Sequence, residues 1–234
     1  HLEVVQHRAP DTWMVMRICI DAPYWWLVAN PDECARSADS TGPERYASMG
    51  SEKWIKDSSD YLAAFVRAVE GAPLGKKIIG YSLLTSHGGE WIYTGAGAGK
   101  IGDYSEPALR YYRAWLKRKY GDQAWIVDTP VPSEGDRGRA WPALLRDPKR
   151  DARSIDFDLA FSDMTVDNLL AWCRAVKRES KGRRIVGAFY GYLLWQTGLV
   201  KSTATNGHLA LRRLVEIPDI DFVTSFPSYD VREP

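Results

Sequence analysis

Four short apolar segments, each preceded or followed by a helix-like stretch, limit what this chain can fold into more than any other feature. Residues 12–20, 77–84, 184–193 and 219–226 read as strands, and the second is an apolar run that a glycine interrupts, suiting a strand covered on both faces. Residues 57–70 set Tyr61, Leu62, Phe65, Val66 and Val69 at helical spacing behind a Ser/Asp start that supplies cap candidates. Residues 105–120 open Ser-Glu-Pro and run out in Lys-Tyr-Gly, a cap followed by a glycine stop. Residues 165–180 carry Val166, Leu169, Leu170, Cys173 and Val176 on one face with a basic last turn, and 206–215 is a shorter helix that feeds the final strand. Strands alternating with helices predict a parallel sheet with helical crossovers. An internal echo fits: Gly75-Lys-Lys-Ile-Ile-Gly80 recurs as Gly182-Arg-Arg-Ile-Val-Gly187, after a helix and before a strand in both places.

In such sheets chemistry sits on the loops that follow the strands. The second strand delivers Glu90 into a glycine-rich turn beside Trp91, and His87 lies three residues earlier. On the first strand Arg17, Cys19 and Asp21 alternate onto one face, which inside a barrel is the lumen, and Trp25 and Trp26 follow its end. An Arg and an Asp there form a buried pair or hydrogen-bond a polyol. The third strand ends in Tyr190, Tyr192 and Trp195, and the last in a polar, aromatic loop with Tyr229 and Asp230. Residues 121–155 are rich in Pro, Gly, Asp and Arg; they cross the mouth of the site, hold short helices, or form an insertion anchored by Trp125 and Trp141.

Composition narrows the partners. With 31 basic against 30 acidic residues in a chain of 234, no net field draws nucleic acid or an anionic membrane, and neutral small molecules fit better. No apolar run approaches the roughly 18–20 residues of a membrane span. No charged-then-apolar stretch at the start of the sequence resembles a signal peptide, and because the chain begins at His1 and not at Met, an export signal lost upstream leaves the compartment open. Cys19, Cys34 and Cys173 are too scattered for a disulfide framework or a zinc site, and no H-E-x-x-H pattern occurs, so no metal is expected. Gly97-Ala-Gly-Lys-Ile-Gly102 has dinucleotide spacing but does not follow a strand directly, which favours a plain loop over a nucleotide cofactor. The G-x-S-x-G elbow is absent. Ten Trp and twelve Tyr supply stacking surfaces that suit the C–H faces of sugars.

Several stretches together resemble glycoside hydrolases of the large retaining clan with (β/α)8 barrels, most closely the family 42 β-galactosidases. They are Asp21-Ala-Pro-x-Trp-Trp26; Ile79-Gly-Tyr through Gly89-Glu90-Trp91; Asp103-Tyr-Ser; Arg113-Ala-Trp-Leu116; Lys119-Tyr-Gly121; Phe189-Tyr-Gly-Tyr192; Gly207-His208; and Asp219-Ile-Asp-Phe222 with Ser228-Tyr229. The resemblance implies a single domain over residues 1–234, an α/β fold that is a partial (β/α)8 barrel with about four of eight strands, incomplete at both ends. It implies a retaining hydrolase of β-linked glycosides, with Glu90 as general acid/base and a nucleophilic glutamate beyond the C-terminus. Gly89 stands where the clan usually has Asn before the acid/base glutamate. Arg17, Asp21, Trp25, His87, Trp91, Tyr190, Tyr192, Trp195 and Tyr229 are then substrate-binding candidates, with a carbohydrate as partner, no cofactor, and a homo-oligomer possible for the complete protein. A non-catalytic carbohydrate-binding barrel, or an inactive relative, is the alternative. Open sheet edges would leave such a segment marginal on its own.

Overall fold

A computed structural model describes residues 2–38, 42–86, 89–91, 93, 100–123, 125–138, 146–191 and 207–225. Along the chain these form α1 (Leu2–Arg8), β1 (Met14–Cys19), α2 (Tyr24–Ala29), α3 (Glu52–Gly71), β2 (Ile78–Leu84), α4 (Glu106–Tyr120), α5 (Trp125–Asp128), α6 (Glu134–Gly138), α7 (Ala152–Glu179), β3 (Ile185–Phe189), α8 (Leu211–Val215) and β4 (Phe222–Thr224). The four strands pair in chain order, all parallel. Each connection passes through at least one helix, which is the path of a partial α/β barrel.

The register sorts the side chains onto two faces. Met16 pairs with Tyr81 and Tyr81 with Val186, while Ile18 pairs with Leu83 and Leu83 with Ala188. These residues face the helices, where Leu62 and Val66 of α3 and Leu169, Trp172, Cys173 and Val176 of α7 complete one buried core. The opposite, concave face carries Val15, Arg17 and Cys19, then Gly80 and Ser82, then Ile185 and Gly187. Two of its glycines are places where another chain segment lies close: a Cβ on Gly80 would meet the Ile185 side chain at 2.4 Å, and one on Gly187 the Phe222 carbonyl at 2.1 Å.

Local chemistry fixes the helix ends. The Ser51 hydroxyl accepts from the Trp54 amide at 2.9 Å and starts α3. Ser105 does the same for α4 with Pro107 in its first turn, and Gly121 stops that helix at φ 79°. Helix α7 begins thirteen residues before the apolar periodicity predicts. Its extra turns bury Asp156 and Asp158 and half-bury Asp163, which hides the pattern, but each has partners. Asp156 takes Lys119 and Tyr120, Asp158 takes Arg137 at 2.9 Å, and Asp163 takes Trp115 at 2.6 Å. The segment after α4 does hold short helices, α5 and α6, and Arg137 of α6 is fully buried against Asp158 and the Gly102 carbonyl. Trp141 lies outside the described residues.

The two echoing strand entries are built differently. Residues Pro73–Lys77 form a 3-10 turn into β2, whereas Arg183 and Arg184 before β3 both reach Glu70 near the end of α3. Those guanidiniums hold the Glu70 carboxyl below the usual range, Arg184 more than Arg183. At the far side, the Asp221 amide donates to the Val186 carbonyl at 2.8 Å and its carboxylate accepts from the Val186 amide at 2.7 Å, which docks the approach to β4.

The seam between β3 and β4 should therefore reject even one methyl group. Gly187→Ala is expected to destabilise the protein by about 3 kcal/mol, because the obstruction is backbone. Gly71→Ala, with nothing within 4 Å of the added carbon, should leave stability equal or raise it by about 0.5 kcal/mol. Urea unfolding of both variants checks the contrast.

Candidate functional site

The C-terminal edge of the sheet gathers three strand exits. Past β1, the Ile20 amide still pairs with the Leu84 carbonyl at 2.8 Å, and Asp21 then ties the first exit to the second. Its Oδ1 accepts from the Thr85 hydroxyl and the Ser86 amide, both at 2.9 Å, and its Oδ2 from the Cys19 thiol at 3.1 Å. Thr85 also donates to the Ile20 carbonyl at 3.0 Å. Asp21 thus fixes the start of the turn that carries Glu90.

That turn is tight. Ser86, Gly89 and Trp91 adopt φ of 64°, 78° and 59°, and the Trp91 amide closes back to the Thr85 carbonyl at 3.2 Å. Left-handed backbone at a non-glycine residue costs about 1 kcal/mol each, so neighbouring contacts must hold Ser86 and Trp91 there. Gly89 supplies one such position without that cost. Glu90 is half-buried in the turn.

His208 supplies the second hold. Its Nε2 stands 2.7 Å from the Glu90 carbonyl, and its Nδ1 accepts from the Gly191 amide at 3.1 Å. A carbonyl on one side and an N–H on the other permit one arrangement, the neutral ring with its proton on Nε2. Burial drives the imidazole pKa down to about 4 and keeps it neutral. The Gly207 amide donates to the Trp91 carbonyl at 3.2 Å, and the Tyr190 hydroxyl donates to the Gly207 carbonyl. The exits of β2 and β3 are thereby joined through residues 207–208.

Of the residues that the sequence singles out, the structure brings Asp21, Glu90, Trp91 and Tyr190 to this edge. Trp91 and Tyr190 are each 1% exposed and belong to the core beneath it. The Trp91 ring lies 5.5 Å from that of Trp172, so it braces the turn from the helix side and does not line the concave face. Arg17 does not pair with Asp21. It reaches across Ser82 and Gly187 to put its guanidinium 4.9 Å from the centroid of Phe189, on the concave face. Trp25 is 71% exposed, whereas its neighbour Trp26 is buried edge-on against Trp54 and donates to Asp57 at 2.9 Å. His87, Tyr192, Trp195, Tyr229 and Asp230 lie outside the described residues, as do Gly97–Gly99. Among the described residues no grouping of His, Cys, Asp and Glu is arranged to hold a metal ion.

The sequence places His208 only at a loop-to-helix position. Nothing in its local pattern says that it bridges two strand ends separated by about a hundred residues. The Gly-His doublet is the one signal, because a Cβ on Gly207 would strike Thr165 at 2.2 Å and so the loop must press against α7 there.

The histidine also sets a pH dependence. Its unfolded pKa is near 6.5 and its folded one about 4, so between those values the unfolded chain binds a proton that the folded chain refuses. Stability should be intact above pH 6.5 and fall as pH drops towards 4, by on the order of 3 kcal/mol in full. His208→Gln, less stable at pH 7, should lose this component of the slope. Urea unfolding at several pH values checks it.

No family model and no curated protein matches the chain. Solved structures do. A β-galactosidase from the haloarchaeon Halorubrum lacusprofundi superposes with a TM-score of 0.65 at 14% identity, covering 98% of this chain and 33% of its own. A β-galactosidase from the psychrophilic Marinomonas ef1 gives 0.63 at 13%, covering 97% and 32%. The catalytic domain of β-amylase from Paenibacillus polymyxa gives 0.60 at 18%, covering 86% and 54%. The chain spans about a third of the length of these β-galactosidases. At such identity the likeness concerns the fold, and the fold is that of a partial α/β barrel of the kind glycoside hydrolases use.

Proposed function

We propose that this chain forms the part of a retaining glycoside hydrolase barrel that carries the general acid/base, Glu90, for cleavage of a β-linked glycoside such as a galactoside. The observation that carries the reading is the way Glu90 is presented. It stands just past a central strand of a parallel sheet, on a turn tied on one side to Asp21 and on the other to His208. A proton donor must meet the leaving oxygen in one geometry, and a displacement of about 1 Å can cost 10²-fold in rate, so a doubly held turn suits the task. The likeness to β-galactosidases, one of them named as a GH42 enzyme, supports the same assignment.

In a retaining mechanism two carboxyl groups about 5–5.5 Å apart divide the work. Glu90 protonates the glycosidic oxygen as a nucleophilic glutamate attacks the anomeric carbon, then takes a proton from the water that releases the sugar. The nucleophile is assigned to a strand outside these 234 residues, in keeping with β-galactosidase neighbours of which this chain spans about a third. His208 is neutral and both its ring nitrogens are engaged, so its part is placement. Arg17, with its donors on the concave face, the spare lone pairs of Asp21, and the exposed ring of Trp25 are assigned to the sugar, together with His87, Tyr192, Trp195 and Tyr229. Trp91 and Tyr190 are assigned to support beneath the site.

Glu90→Gln in the full-length protein should lower kcat/KM for a β-galactoside with a poor leaving group by about 10³-fold or more. Activated aryl galactosides should suffer less in the first step, and azide should restore turnover as the glycosyl azide. Steady-state kinetics on the two substrates reads this out, and unchanged activity on the poor leaving group would remove Glu90 from the mechanism.

A further inference from the structure

On the outer side of the helix layer, α4, α5 and the start of α7 border a groove of about 640 Å³. It shares no lining residue with the 85–91 turn. Two of its walls are aromatic. Trp125 and Tyr120 remain 47% and 40% exposed, with ring centroids 5.4 Å apart and planes at 62°. They make a corner, one ring a floor and the other a wall. Large rings left half in solvent side by side in a concave place suit a ligand with a flat apolar face.

Tyr112 forms the inner wall. It is 2% exposed, its ring packs 4.8 Å from that of Phe157, and its hydroxyl has no hydrogen-bond partner among the described residues. Its oxygen is closed off from the groove, so Tyr112 contributes the apolar face of its ring to that wall. Beside it Asp156 is pinned by Lys119 at 2.5 Å and the Tyr120 hydroxyl at 2.8 Å, with lone pairs left over. Past Pro130, Ala152 and Arg153 the groove continues into a second cavity of about 380 Å³.

Charge decides between ligand classes. Along both cavities the cations Lys149, Arg150 and Arg153 are nearly balanced by Asp128, Asp136, Asp151 and Asp156. A nucleic acid or anionic lipid would need a clear positive excess. An elongated neutral ligand with apolar faces and many hydroxyls meets these features: rings to stack on and a fixed carboxylate to accept.

We propose that this groove binds a neutral oligosaccharide, with Trp125 as the stacking platform and Tyr120 as the adjoining wall, as a second carbohydrate site remote from Glu90. It takes the ligand class of the proposed function but does not depend on Glu90 being catalytic. Full-length Glu90→Gln protein, labelled with 5-fluorotryptophan, is titrated with β-1,4-galactotetraose, and the Trp125 ¹⁹F signal is assigned by its loss in Trp125→Phe. The expected result is a saturable shift of that signal, with the half-saturation concentration raised at least threefold in Tyr120→Ala, whose cooperative melting shows that it is folded. A Trp125 signal that stays still while other tryptophans respond would confine the sugar to the sheet edge and overturn the groove site. No response from any tryptophan would overturn it as well. The loss of hydrolysis in Glu90→Gln relative to the unsubstituted protein, measured separately, reports on Glu90 and not on the groove.

Discussion

One neutral imidazole joins the ends of two parallel strands, and the position of Glu90 rests on it. Parallel strands cannot be closed by a tight turn, so their C-terminal ends leave in separate loops that something else must bring into register. Here His208 does so, donating to the turn after β2 and accepting from the residue after β3. Its two partners demand opposite roles of its two nitrogens, which only the uncharged ring can fill, and burial secures that state. The left-handed residues of the Glu90 turn are held in place by this contact, by Asp21, and by the buried indole of Trp91. Trp91 in turn leans on Trp172, whose own N–H reaches Ser58 of α3 at 2.8 Å. A chain of contacts therefore runs from the helix core to the backbone of one glutamate.

The sheet divides its labour by face. Towards the helices it presents Tyr81, Leu83, Val186 and Ala188, all buried in one core. Towards the concave side Gly80, Ser82 and Gly187 stand among larger residues, and they leave Arg17 of β1 room to cross β2 and rest on Phe189 of β3. Small residues on this face are what give a sheet of this curvature space for a ligand above it. Deeper in the layer below, Asp103 is fully buried yet accepts from the Arg36 amide at 3.0 Å and the Ser105 amide at 2.9 Å, fastening the loop after α2 to the start of α4. Burial raises its pKa against those hydrogen bonds.

The architecture was legible because its causes are local. Apolar runs between helix-like stretches, Ser105 as a cap and Gly121 as a stop all act within a few residues, and most elements lie near where these signals put them; α3, however, starts from a cap at Ser51, ahead of the Ser/Asp start that the sequence suggests at 57–59. Helix α7 was read too short because Asp156, Asp158 and Asp163 look like surface residues until Lys119, Arg137 and Trp115 arrive from elsewhere in the chain. The site was legible in its carboxylates, Glu90 and Asp21, because strand ends are visible in sequence. The direction of Trp91 and Tyr190 was not, since whether a ring at a strand end faces the helices or the concave side depends on one residue of register and, for Trp91, on a left-handed φ. His208 was least legible of all, because its partners Glu90 and Gly191 are distant in sequence and offer backbone atoms, which leave no mark on residue type.

The most direct test is a crystal structure of the full-length protein with a thio-linked β-galactoside that cannot be hydrolysed. The account expects the sugar over the concave face at the C-terminal edge of the sheet, with the Glu90 carboxyl about 3 Å from the inter-sugar sulfur and the His208 ring still bridging Glu90 and Gly191. A galactoside bound at that edge with the Glu90 carboxyl turned away from the sulfur, or with the His208 bridge broken, would contradict it.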